Sequence, residues 1–169
     1  HGLPNRLMDW TYSPFVALHF ATDDPSKYDR DGVIWQVDYV QVNRMLPEPL
    51  RGVMEKVGAN AFTVEMIEEA VPTLLDFDAY HNQNHDLVIF FEPPSLDYRI
   101  INQFAFFSVM STATGRLDGW LYKYPQLYRK IIIPKELKWE IRDKLDQANI
   151  TERILFPGLD GLAKWLLRH

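Results

Sequence analysis

Cysteine is absent from the 169-residue chain. A disulfide framework, thiolate zinc sites, iron–sulfur clusters and thiol catalysis are therefore excluded, and a cytoplasmic location is the expectation that follows. Long apolar runs are missing as well. Stretches such as Leu87–Phe91 and Ile131–Ile133 fall far short of the ~20 residues that span a bilayer, so no membrane partner is expected. Positive charge is in deficit, with 18 Lys+Arg against 23 Asp+Glu and a net charge of −5. That removes the broad field on which non-specific binding to nucleic acid or anionic lipid depends. Neither G-x-x-x-x-G-K-[ST] nor G-x-G-x-x-G occurs around Gly52, Gly58, Gly115 or Gly119, and there is no G-x-S-x-G elbow. Phosphate-loop and serine-hydrolase chemistry lose their usual sequence support.

What the chain does have is apolar mass. At 47% apolar and 14% aromatic residues it can bury roughly 70% of its unfolded surface, which predicts a single domain over residues 1–169. It opens on His1-Gly2-Leu3-Pro4 without Met, as expected of a piece whose start lies upstream. The first 23 residues read as a loop feeding a helix: Ser13 offers an N-cap, Pro14 a first helical position, and Val16, Ala17, Phe20 and Ala21 one apolar face. Val33–Val37 predicts a strand over 32–38, and strands are also expected at 87–92, 104–110 and 127–133. Between 39 and 80 proline-punctuated helical periodicity predicts a helical insertion, with Glu65, Glu68 and Glu69 on a solvated face. Pro134 opens a helix with Leu137, Ile141 and Leu145 inward and a Glu140–Lys144 pair, and the tail predicts a last helix with Leu162, Trp165 and Leu166 inward. The expected class is α+β: a small mixed or antiparallel sheet of about four or more strands packed by several helices.

Chemistry-bearing residues crowd the opening loop. Arg6, Asp9, Trp10, Tyr12 and Ser13 precede a helix N-terminus, whose unpaired N–H groups favour an anion such as a pyrophosphate. Trp10 or Tyr12 offers a face for a flat ring. The plainer account has Ser13 capping the helix and Arg6 pairing with Asp9. His81 and His85 stand at i,i+4, but no Glu follows the first and the segment is Asn-rich, so no metal is expected. Asp97–Gln103 lies between two strands, where Gln103 is the candidate to face a ligand and Arg99 is expected to pair with Asp97 or Glu92.

The opening His1-Gly-Leu-Pro-Asn-Arg-Leu-Met-Asp-Trp-Thr-Tyr-Ser-Pro-Phe-Val-Ala-Leu-His-Phe-Ala21 resembles the FRG domain, a family of bacterial and phage proteins. Arg99-Ile-Ile-Asn-Gln103 with Phe107, and Leu155-Phe-Pro-Gly-Leu-Asp-Gly-Leu-Ala163, extend the resemblance. The aromatic-Arg-Gly tripeptide that names the family lies upstream of the first motif and is not in this chain, and Phe104-Ala105 stands where relatives often show Gln-Gly. A more distant similarity is to ADP-ribosyltransferases, which run a Ser/Thr segment into a helix and place Glu or Gln at the start of a later strand. Thr11-Tyr12-Ser13 and Gln103 are similar to those elements.

The resemblance implies an ADP-ribosyltransferase-like fold and an NAD or nucleotide site, with NAD as substrate. His1, Arg6, Asp9, Trp10, Tyr12 and Ser13 would line it, and Gln103 and Glu92 would do the chemistry. A protein or nucleic-acid acceptor is left open. The rival expectation is a non-catalytic module that senses a nucleotide or docks a partner within a phage-defence or toxin-like protein.

Overall fold

Local sequence chemistry explains most of the elements, and long-range pairing the rest. The computed structural model of the chain describes residues 5–82 and 86–168. In chain order come β1 (Leu7–Thr11), α1 (Pro14–Ala21), β2 (Gly32–Val37), α2 (Tyr39–Arg44), α3 (Leu50–Val57), α4 (Val64–Ala70), α5 (Leu74–Asn82) and β3 (Val88–Phe91). They are followed by α6 (Tyr98–Asn102), β4 (Ala105–Met110), α7 (Leu117–Leu121), β5 (Tyr128–Ile133), α8 (Lys138–Gln147), α9 (Glu152–Leu155) and α10 (Leu159–Arg168). The class is α+β. Among the described residues the strands divide into a three-stranded sheet, ordered β1-β4-β3, and a two-stranded sheet of β2 and β5, rather than a single sheet. None of the described helices is long and apolar enough to cross a membrane.

The chain forms two compact units. The first gathers residues up to Trp10, Val37–Pro94 and Phe106–Arg129. In it β3 and β4 run antiparallel, with Val88 opposite Met110 and Phe91 opposite Phe107. Helices α2 to α5 follow one another as the periodicity predicts, and Leu46, Leu50, Met54, Val71 and Phe77 pack with Phe62, Leu87, Ile89 and Phe91. Strand β3 ends the three-stranded sheet yet is buried along its whole length. Its outer backbone at Phe90 is satisfied without another strand: Phe90 N–H donates to the Asn43 Oδ1 (3.0 Å) and Asn43 Nδ2 donates back to the Phe90 carbonyl (3.1 Å). Farther along, Phe62 continues the pairing beside Phe91. A fully buried amide thus closes an edge that would otherwise invite a second chain.

The second unit gathers Thr11–Gln36, Ser95–Ala105 and the chain from Lys130 onward. Its centre is ionic as much as apolar. Arg142 of α8 is buried between His19 of α1 (2.8 Å) and Glu152 of α9 (2.6 Å), and Arg168 of α10 grips Asp146 through two 2.6 Å bonds and Glu152 at 2.9 Å. Gly161 lets α10 lie on α9: a Cβ there would stand 1.9 Å from the Phe156 carbonyl oxygen.

Three expectations change. Residues 7–11 are a strand, not part of a loop, because they pair with β4. On α8 the inward positions are Lys138, Arg142 and Leu145, since the buried carboxylate of Glu152 draws a guanidinium inward; Leu137 precedes the helix and is exposed. On α10, Leu162 and Leu166 are exposed and it is Gly161 that packs inward, the close approach fixing which face meets α9. The Glu140–Lys144 pair forms at 2.6 Å.

Candidate functional site

The residues singled out from the sequence divide between the units: Arg6, Asp9, Trp10 and Glu92 belong to the first, Tyr12, Ser13 and Gln103 to the second. His1, like His85, lies outside the described residues.

In the first unit, Arg6 donates from Nη2 to the carbonyls of Met110 (3.0 Å) and Ser111 (2.8 Å), and its Nη1 meets Asp78 at 2.7 Å. Its partner is Asp78, not Asp9, which is exposed on β1. Trp10 donates its indole N–H to the Ser108 hydroxyl at 2.9 Å and tilts against Phe90, so the ring is built into the three-stranded sheet. Glu92 follows β3, exposed, with its backbone N–H donating to the Phe62 carbonyl at 2.8 Å. His81 Nδ1 stands 2.7 Å from both Asp86 and Thr112; because all these contacts converge on one ring nitrogen, they do not form a relay.

In the second unit three distant stretches are stitched together. Thr11 donates its hydroxyl to the Gln103 carbonyl at 2.7 Å across 92 positions, and the Tyr12 N–H donates to the Phe104 carbonyl at 3.1 Å. Gln103 in turn donates its side-chain Nε2 to the Leu155 carbonyl at 2.8 Å, and Asn102 does the same to the Ile154 carbonyl at 2.8 Å. A carbonyl only accepts, so this bond fixes the amide orientation of Gln103 and presents Oε1 as its remaining acceptor. Ser13 receives the Val16 N–H on its hydroxyl at 3.4 Å as the N-cap of α1, and its own N–H donates to the Thr11 hydroxyl at 3.0 Å. Pro14 has no N–H to give. The capping expected of Ser13 therefore holds, and Thr11 is the hinge of the arrangement. The resemblance of Thr11-Tyr12-Ser13 and a hydroxyl two residues before an N-cap were the sequence signs of it.

Around this knot the electrostatics are mild. Asp97 caps α6 through the Ile100 N–H at 2.9 Å, and Arg99 lies over the Phe156 ring at 5.3 Å rather than pairing with Asp97. A large perturbation lies at His19, near the other end of α1. Burial first, then the positive charge of Arg142, lowers its pKa from 6.5 to about 4. Arg142 only donates, so His19 accepts on Nδ1 and carries its proton on Nε2.

No curated protein and no solved structure matches the chain. Among protein families the FRG domain matches residues 1–30, the stretch that holds Arg6, Trp10, Thr11 and Ser13, and this match supports the FRG family.

Proposed function

We propose that the chain carries an ADP-ribosyltransferase-like site for NAD or a related nucleotide, centred on Thr11, Tyr12, Ser13 and Gln103. The observation that carries this reading is the hydrogen-bonded run Thr11–Gln103–Leu155, which joins the three stretches of the family resemblance inside one unit. Cleavage of a nicotinamide–ribose bond builds oxocarbenium character, and an oriented acceptor on a ribose hydroxyl stabilises that charge. Gln103 Oε1, held by the bond from Nε2 to Leu155, suits that task. The start of α1 would favour the phosphates. In this reading Arg6 and Trp10 fix the strand that leads into Thr11. Gln103 cannot ionise, so a group on the acceptor supplies the base if transfer follows cleavage.

One observation favours the second reading, a nucleotide-sensing module without catalysis: the Gln103 amide is already tied to the Leu155 carbonyl through one of its two N–H groups. Calorimetric titration with NAD, together with an assay of released nicotinamide, separates the two. Saturable binding that weakens about tenfold in Gln103→Met, with nicotinamide released by wild type, supports the transferase reading. Binding without release supports the module. Absence of binding overturns both.

A further inference from the structure

The structure assigns a ligand contact to Phe104, and we propose that its ring is the platform on which the planar ring of the nucleotide stacks; this rests on the nucleotide site proposed above. Phe104 and Asn149 are the non-glycine residues with positive φ among those described, at 49° and 60°. Asparagine tolerates the left-handed region, whereas a bulky aromatic there is strained. The backbone at Phe104 closes α6, its N–H donating to the Ile101 carbonyl at 3.1 Å while its own carbonyl accepts from Tyr12. Glycine or asparagine would close the helix in the same way with less strain. Burial does not offset the strain, because Phe104 remains 55% exposed. An aromatic ring held against local preference and left in solvent, one residue from Gln103, is what a binding surface requires and a core does not. Tyr12 at 44% and Phe15 at 54% are exposed on the segment it bonds to. Aromatic side chains stack on any base or pyridine ring through their faces, whereas phosphates gain nothing from them.

The test titrates the full chain with NAD, which carries rings, and with inorganic pyrophosphate, which does not. Phe104→Gly is expected to weaken NAD binding about tenfold, to leave pyrophosphate binding unchanged and to raise the thermal midpoint by about 2–4 °C as the strain is released. Phe104→Tyr is expected to keep the affinity for NAD. Should pyrophosphate bind too weakly to measure, the contrast between glycine and tyrosine variants decides. Wild-type NAD affinity in Phe104→Gly, or equal losses in the glycine and tyrosine variants, overturns the stacking role while the nucleotide site stands. A wild-type chain that takes up no NAD overturns the site and this assignment together.

Discussion

Arg6 commits its guanidinium to two carbonyls and a carboxylate, all in the first unit. Truncation would strand the Met110 and Ser111 carbonyls, and buried polar groups so abandoned cost about 1–3 kcal/mol each, while the half-exposed Asp78 would lose its cation at small cost. Arg6→Ala is therefore expected to lose about 2–4 kcal/mol in urea denaturation. A change of less than about 0.5 kcal/mol would mean that these bonds hold little of the unit together. The sequence marks Arg6 and Trp10 as unusual residues in an opening stretch. It does not reveal their partners, because Met110 and Ser108 lie 104 and 98 positions away. Ser13 is different. Its role needs only the next three residues, so the Ser13-Pro14 cap was legible.

At the scale of elements, the same contrast recurs. Helices α2 to α5 were legible because periodicity and prolines are local signals. Strand β1 was not, since Leu7–Thr11 becomes a strand only by pairing with β4. The ionic centre of α1, α8, α9 and α10 was equally hidden, and it makes the second unit sensitive to acid. His19 has a pKa of about 4 when folded against 6.5 when unfolded, so between those values the unfolded chain binds a proton that the folded chain refuses. Stability contributed by His19 is present above pH 6.5 and lost as pH falls towards 4, with a limit of about 3 kcal/mol. Burial would raise Glu152, but bonds from Arg168 and the charges of Arg142 and Arg168 outweigh it and hold the carboxyl low. Its contribution disappears at still lower pH. Asp23, raised by burial and by Asp24, acts in the opposite sense within the carboxylate range. Thermal midpoints should therefore fall steadily from pH 7 to 4, and His19→Gln should flatten that slope. A wild-type midpoint independent of pH over this window would contradict the assignment.

For the molecule as a whole, class and composition were readable: α+β, no cysteine, no described helix able to span a membrane. The split of the strands into sheets of three and two was not, because strand order depends on contacts between distant residues. The family match covers residues 1–30, the stretch that holds Thr11 and Ser13. The closing stretch of the resemblance also gained physical reasons from the structure: the Leu155 carbonyl orients Gln103, and Gly161 admits the Phe156 carbonyl. The central claim is that NAD or a related nucleotide is held where Thr11–Ser13 meets Gln103. Hydrogen–deuterium exchange of the full chain with and without saturating NAD tests it without altering a residue. The account predicts slowed exchange in the peptides that span the start of α1 and the turn from Gln103 into β4. Unchanged exchange there, or protection confined to other segments, would contradict it.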